Sequence, residues 1–166
     1  MATKDDLKEA FAGESEANRK YLAFAKKAEQ DGFPHVAKLF RATAEAETVH
    51  AHAHLRVMGG VKETIENLKV ASDGEGFEFR QMYPKFIKEA EIEGNRSAIT
   101  SFKYAMAVEE IHHGFHEEAL KAVKVGSDLP AERMFVCSVC GNTVKGEVPD
   151  KCSVCGVDRK KSFEIK

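Results

Sequence analysis

Two glutamate–histidine pairs have the same spacing and recur at a fixed interval. Glu47 precedes His50 by three residues, and Glu109 and His112 repeat this arrangement 62 positions later. On an α-helix, residues i and i+3 lie on one face, one turn apart. Carboxylates and imidazoles held together on bundle helices are typical ligands of iron or manganese. A single Glu-x-x-His sequence is a weak signal, but two copies in the register of a repeat predict a metal site.

Further glutamates interrupt the apolar faces of the predicted helices. Along each of these faces, called seams below, core-facing residues recur alternately every four and three positions. Burying a lone carboxylate is unfavourable unless a cation or a hydrogen bond compensates it. Counting residues from the expected hairpin turns at Gly32 and Gly94 places these glutamates and the histidines at matching heights on their helices. The predicted ligands of two cations are Glu14, Glu47, His50, Glu75, Glu109 and His112.

Several neighbouring residues have alternative interpretations. Glu78 has no acidic counterpart in the first half, where Ala17 stands, so it is either a ligand or a surface charge. Ser72 and Glu75 have the spacing of a capping box, which would give Glu75 a role only at a helix start. Tyr21 and Tyr83 are either core aromatics or hydrogen-bond donors to the site. Histidines off the seams are expected to be exposed: His35, His52 and His113.

His54 and His116 each follow a predicted histidine ligand by four residues and therefore share its face. They either make contacts beside the ligands or at the bundle end, one turn farther along each helix, or bind metal themselves, and the sequence leaves this choice open.

All four cysteines lie near the C-terminus, in two C-x-x-C pairs: Cys137, Cys140, Cys152 and Cys155. Thiolates at this spacing form tetrahedral iron or zinc sites, and the ribbon alone does not distinguish the two metals. Gly141 and Gly156 directly follow the pairs and allow tight turns whose N–H groups face sulfur.

The seams predict four helical segments, at roughly 4–31, 34–58, 72–93 and 95–125, with a kink at Pro84. A connector of about 15 residues, 59–73, either irregular or with a short helix near 62–70, would cross a bundle end to end. An offset of 62 relates Tyr21 to Tyr83 and Gly32 to Gly94, whereas Glu14 matches Glu75 at 61, which indicates one inserted residue. We predict an all-α, ferritin-like four-helix bundle over 1–130 and a small C-terminal rubredoxin-like four-cysteine metal ribbon over 131–166.

Composition excludes several classes of protein. The 166-residue chain has a formal net charge of −2 with interspersed acids and bases, which argues against nucleic-acid binding. It contains no long apolar run and no signal-peptide pattern near its start. A soluble, cytoplasmic protein without a membrane partner is therefore expected.

The "FAGES" sequence, both Glu-x-x-His pairs, "MYPKF" and the terminal cysteines together resemble the rubrerythrins over essentially the whole chain. The resemblance implies an oxo- and carboxylate-bridged diiron site, an iron held by four cysteines, and usually a homodimer. It implies NADH-linked reduction of hydrogen peroxide to water in oxidative-stress defence, with rubredoxin or a reductase as the electron donor.

The resemblance also implies residue roles. Glu78 would be a seventh diiron ligand that binds one iron in the oxidised state, and His50 would replace it in the reduced state. Tyr21 and Tyr83 would supply hydrogen bonds near the iron, and the ribbon of one subunit would approach the diiron site of the other. Ser153 stands where rubredoxins usually carry proline, so zinc remains possible in the ribbon.

Two other functions remain open at this stage. A ferritin-like ferroxidase or iron-handling protein would not require a redox-active ribbon. A helical interaction module with a zinc ribbon would have no use for five buried glutamates.

Overall fold

The computed structural model describes residues 2–166, which are mainly helical with a small sheet at the C-terminal end. The helices are α1 (Ala2–Gln30), α2 (Pro34–Val57), α3 (Thr64–Phe77), α4 (Tyr83–Ile92) and α5 (Arg96–Lys124). A π-helical turn, Glu78–Met82, separates α3 from α4. The chain divides into two compact units, up to residue 62 and from residue 63 onward. The predicted domain boundary at 130/131 remains a prediction.

The first unit is an antiparallel hairpin of α1 and α2. Its buried positions are mostly alanines, including Ala25, Ala28 and Ala37, against which Phe40 packs. Small side chains let two helix backbones approach closely. Asn18 is also buried, and its amide donates to the Ala44 carbonyl at 2.7 Å and satisfies its polar group inside the hairpin.

Both hairpin turns use the same local geometry, as the 62-residue repeat predicts. Gly32 and Gly94 have positive φ angles of 83° and 69°. The N–H of Phe33 donates to the Ala28 carbonyl at 2.8 Å, and the N–H of Asn95 donates to the Ala90 carbonyl at 2.9 Å. These six-to-one hydrogen bonds are those of a Schellman motif, which requires a left-handed residue that glycine adopts without strain.

An aromatic triangle is repeated as well. The rings of Tyr21, Phe24 and Phe40 lie 5.6–6.3 Å apart by centroid in the first unit. The residues 62 positions later form the second triangle with the same range of distances: Tyr83, Phe86 and Phe102. The predicted internal repeat is therefore present in the packing as well as in the sequence.

The start of the third helix differs from the prediction. α3 begins at Thr64, so only residues 58–63 connect it to α2 and the expected connector of about 15 residues is too long. The short helix expected near 62–70 is present as the first part of α3. Ser72 consequently lies inside a helix, where it is buried and its hydroxyl donates to Glu117 at 2.6 Å. The capping-box interpretation of Ser72 and Glu75 is therefore excluded. The predicted bounds of α1, α2 and α5 agree with the structure within two residues.

The π-helical turn explains the change of offset in the repeat. Offset 61 holds at Glu75 and offset 62 holds at Tyr83, and the turn lies between them. A π turn accommodates one extra residue without ending the helix. Pro84 follows it in the first turn of α4, where its missing N–H costs little. The expected kink at Pro84 is thus a π-to-α transition.

The second unit ends in a three-stranded antiparallel sheet of order β2-β1-β3. Its strands are β1 (Met134–Cys137), β2 (Thr143–Lys145) and β3 (Ser162–Ile165), and a short 3-10 helix, Arg159–Lys161, precedes β3. Phe135 pairs with Val144 on one side and with Glu164 on the other. None of the helices within residues 2–166 has an apolar stretch of the length that a membrane span needs.

Candidate metal centres

The first unit brings three predicted ligands together. One oxygen or nitrogen atom from each of Glu14, Glu47 and His50 lies within 4.8 Å of the others. The His50 Nδ1 atom is 2.9 Å from Glu47 Oε2 and 3.9 Å from Glu14 Oε1. The i, i+3 spacing on α2 produces the shorter contact, as the sequence predicted. The His50 side chain remains 54% exposed.

The second unit repeats this arrangement with Glu75, Glu109 and His112, again within 4.8 Å. The His112 Nδ1 atom is 3.0 Å from Glu109 Oε2. This cluster is less exposed than the first, since the His112 side chain is 28% exposed and that of Glu109 is 19% exposed.

Both clusters fit a hard or borderline divalent cation. Two ligand atoms about 2.1 Å from one metal and at right angles to each other are about 3.0 Å apart. The observed nitrogen–oxygen distances of 2.9 and 3.0 Å agree with this value. Carboxylate and imidazole donors together are those of non-haem iron and manganese sites.

The carboxylates of the second cluster repel each other when no cation lies between them. Burial, followed by the hydrogen bond and negative charge of Glu109, raises the pKa of Glu75 to about 7. A divalent cation removes this repulsion and favours the ionised form. The raised pKa is therefore what a metal-binding carboxylate shows in the metal-free protein.

Glu78 lies outside both three-residue clusters. It is half-buried on the π-helical turn, and burial followed by the charge of Glu75 raises its pKa. Glu78 is therefore electrostatically coupled to the second cluster without being part of it.

The two tyrosines lie in corresponding places in their aromatic triangles. The pKa of Tyr83 is raised first by burial and then by the charges of Glu109, Glu78 and Glu75. Its hydroxyl is accordingly in the field of the second cluster, where it remains a proton donor rather than a phenolate.

The five remaining histidines differ in their surroundings, and His54 is half-buried on α2. His35 and His52 are exposed, as predicted. The prediction for His113 is wrong: it is half-buried and in contact with Ser72 and Arg80. The Nδ1 atom of His116 lies 3.9 Å from Glu75 Oε1 and is buried without a hydrogen-bond partner among residues 2–166. His116 thus lies beside the cluster, where the sequence predicted it.

One contact to the second cluster was not predictable from local sequence. The Thr143 hydroxyl oxygen of β2 is 2.8 Å from His112 Nε2. Thr143 is 31 residues away, and no helical or strand periodicity connects the two positions. Only the packing of the ribbon against α5 brings them together.

The four cysteines form a separate cluster with tetrahedral dimensions. Their sulfur atoms lie within 4.8 Å of one another, with Cys137–Cys155 at 3.8 Å and Cys140–Cys152 at 3.6 Å. Four sulfurs 2.3 Å from a central metal are about 3.8 Å apart. The thiols are not joined as disulfides.

Two equivalent turns hold these cysteines. The N–H of Gly141 donates to the Cys137 carbonyl and that of Gly156 to the Cys152 carbonyl, both at 2.9 Å. Their φ angles of 82° and 75° require glycine. Burial acts to raise the pKa of the Cys152 thiol, but hydrogen bonds from the backbone N–H groups of Cys155 and Val154 outweigh it and lower the pKa to about 6. The predicted N–H groups facing sulfur are therefore present.

Comparisons with known proteins agree with these two kinds of metal site. The rubrerythrin family profile matches residues 5–124, and the profile of the rubrerythrin rubredoxin-like domain matches residues 135–164. Rubrerythrin-2 of Clostridium acetobutylicum is 32% identical over 96% of this chain and 94% of its own length. Nigerythrin of Nitratidesulfovibrio vulgaris is 34% identical over 93% of this chain and 82% of its own.

Solved structures give the same result. The fully reduced, all-ferrous state of nigerythrin has a TM-score of 0.59 and 30% identity, and it covers 98% of this chain and 86% of that one. Its mixed-valence state has a TM-score of 0.56 and 31% identity with the same coverage. The predicted fold class, a ferritin-like helical bundle with a rubredoxin-like ribbon, is confirmed. The chain belongs to the rubrerythrin family.

Proposed function

We propose that this chain is a non-haem diiron peroxidase that reduces hydrogen peroxide to water with electrons delivered through its four-cysteine iron. The observation that carries the proposal is the combination of two repeat-related carboxylate–histidine clusters with a four-thiolate cluster in one chain. An iron-storage protein needs the first kind of site but not the second, and a structural zinc ribbon does not explain the first.

The residues that would hold the diiron site are those of the two clusters together with Glu78: Glu14, Glu47, His50, Glu75, Glu78, Glu109 and His112. The ribbon iron would be held by Cys137, Cys140, Cys152 and Cys155. When bound, the paired iron supplies two electrons that, with two protons, cleave the O–O bond of hydrogen peroxide and give two molecules of water.

Charge balance supports an exchange of Glu78 for His50 on reduction. Five glutamates carry one more negative charge than two ferrous ions can neutralise, so replacing one carboxylate with a neutral imidazole restores neutrality. Two features make these residues suited to the exchange. Glu78 lies on the π-helical turn outside the three-ligand cluster, and the His50 side chain is more than half exposed.

In this function, Tyr83 donates a hydrogen bond to the carboxylates or to bound oxygen. Tyr21, its counterpart in the repeat, has the same role in the first unit. We further propose a cytoplasmic homodimer in which NADH provides the electrons through a reductase or a rubredoxin-type carrier. Four reduced cysteines fit a reducing compartment.

The function is tested with the purified protein under anaerobic conditions. We expect a red thiolate-to-Fe(III) absorption that bleaches when reductant is added to about three electron equivalents per chain, enough for the ribbon iron and both ions of the diiron site, and that returns when hydrogen peroxide is added. A Cys152→Ala variant should retain iron in the diiron site but lose the colour and the multiple turnovers that a donor supports.

Two results would contradict the proposal. A colourless ribbon containing stoichiometric zinc would exclude electron delivery through the cysteines. Return of the colour with oxygen but not with peroxide would instead favour the ferroxidase function.

A further inference from the structure

We infer that Thr143, a ribbon residue, is a positioning residue that fixes the metal-binding nitrogen of His112. The inference rests on the proposed function for the identity of the metal. It concerns a hydrogen bond inside the second unit, between the helix that carries the cluster and the strand that follows the first cysteine pair.

Thr143 lies between the Gly141 carbonyl and the imidazole of His112. Its hydroxyl oxygen is 3.3 Å from the carbonyl oxygen, which can only accept, and 2.8 Å from His112 Nε2. When the hydroxyl donates to Gly141, its oxygen can accept a proton from His112 Nε2. In this arrangement His112 carries its proton on Nε2 and leaves Nδ1 for a metal.

With the proton on Nε2, the lone pair of His112 Nδ1 faces the Glu109 Oε2 atom, 3.0 Å away. A cation between these two atoms binds both, whereas without a cation Nδ1 can carry the proton and donate it to Glu109. By accepting the Nε2 proton, Thr143 favours the tautomer and ring orientation in which Nδ1 binds a metal.

Other contacts hold the ribbon in place on α5. The Lys145 ammonium, two residues after Thr143, lies 4.4 Å from the centre of the Phe115 ring and pairs with Glu118. The Lys145 side chain is only 16% exposed, so this ion pair is better shielded from water than most surface pairs. The position of the Thr143 hydroxyl is therefore set by more than its own hydrogen bond.

The same strand is linked to the cysteines. Asn142, directly before Thr143, accepts the Cys137 N–H through its carbonyl at 2.9 Å, and its side-chain amide lies 3.6 Å from the Cys152 sulfur. Thr143, which orients His112, is thus adjacent in sequence to Asn142, which contacts both Cys137 and Cys152 of the four-cysteine cluster.

The corresponding histidine of the first unit lacks such a clamp. The contacts of His50 within residues 2–166, to Glu47 and Glu14, both involve Nδ1, and its side chain is about twice as exposed as that of His112. Of the two repeat-related histidines, His112 is built to stay on its metal and His50 is free to leave.

The test compares Thr143→Val, which keeps the β-branched shape without the hydroxyl, with Thr143→Ser, which keeps the hydroxyl. Thr64→Val, at an exposed position at the start of α3, is the matched control. Anaerobic titration of the metal-free proteins with Fe(II) against a chelator measures affinity, and proton NMR of the ferrous proteins detects the solvent-exchangeable imidazole N–H signals.

We expect Thr143→Val to bind one ferrous ion about 10–100-fold more weakly. The more slowly exchanging imidazole N–H signal, which we assign to His112, should also disappear in Thr143→Val, while the absorption of the four-cysteine ribbon should be unchanged. Thr143→Ser should restore both properties, and Thr64→Val should match the unchanged chain. Equal affinity and N–H exchange in Thr143→Val and the unchanged chain would overturn the inference, as would failure of serine to rescue. These readouts do not use peroxide, so loss of the peroxidase reaction in the unchanged chain would contradict the proposed function alone.

Discussion

The guanidinium of Arg80 donates to the Nε2 atom of His113 at 2.9 Å and ties the π-helical turn to α5. Because a guanidinium can only donate, His113 carries its proton on Nδ1 and donates it to the Ser72 carbonyl at 2.9 Å. Arg80 also lies over the Phe79 ring at 4.5 Å. Arg80 therefore braces the turn that carries Glu78 against α5.

This brace gives a first prediction. Replacing Arg80 with methionine should speed amide hydrogen exchange in residues 78–82 and lower the free energy of unfolding by about 0.5–1 kcal/mol, the value of one partly exposed hydrogen bond. Hydrogen–deuterium exchange with mass spectrometry provides the measurement, and Arg56→Met on the exposed side of α2 is the control. Unchanged exchange across the turn would show that Arg80 does not brace it.

The role of Glu78 can be separated from simple metal retention. In Glu78→Ala, the two three-ligand clusters are intact, so most of the iron should remain bound. Peroxide turnover should fall about 10–100-fold because the oxidised site loses the ligand that exchanges with His50. Iron analysis and steady-state kinetics measure the two effects, with Glu45→Ala as an exposed control. If turnover is unchanged, Glu78 does not exchange.

Tyr83→Phe should slow peroxide turnover about tenfold, which corresponds to about 1.4 kcal/mol for one lost hydrogen bond in the transition state. The reason is its position in the field of Glu109, Glu78 and Glu75. Tyr104→Phe, which changes the third tyrosine of the chain, should have no effect. A comparable loss in both variants would indicate damage to packing rather than a missing hydroxyl.

The raised pKa of Glu75 predicts a pH dependence for the metal-free protein. Because the folded-state pKa of about 7 exceeds the ordinary value of 4.5, folding favours the protonated carboxyl. Its stabilising contribution is complete below about pH 4.5 and is lost as the pH rises to 7. Chemical denaturation between pH 4.5 and 8 should show this fall.

Glu75→Gln should reduce that slope, since glutamine does not titrate. With ferrous iron bound, the dependence should reverse, because the metal requires the ionised carboxylate. A metal-free protein whose stability rises steadily over this range in both variants would contradict the prediction.

Spacing in the sequence predicted which residues lie together. Glu47 and His50 meet because i and i+3 share a helical face, and the two cysteines of each C-x-x-C pair meet because the pair forms a turn that glycine ends. Both are local rules, and both clusters are present as expected. The repeat likewise predicted the paired glycine turns and aromatic triangles.

The errors have physical causes as well. Residues 64–71 have little hydrophobic periodicity, so the sequence predicts at most a short helix within a connector there and not one that continues into the third helix. His113 lies off the apolar face of its helix, which predicts exposure, but its partners Ser72 and Arg80 lie on other helical segments that the local pattern does not relate to it. The change of offset from 61 to 62 did reveal an insertion, but only the structure shows that a π turn absorbs it.

The difference between the two halves of the repeat also has a chemical consequence. One half carries a carboxylate, Glu78, on the π-helical turn, whereas the other half carries alanine at the matching position, Ala17. In the proposed diiron site, this extra negative charge would lie closer to one ion than to the other. The two ions would then have unequal redox potentials and be chemically distinct.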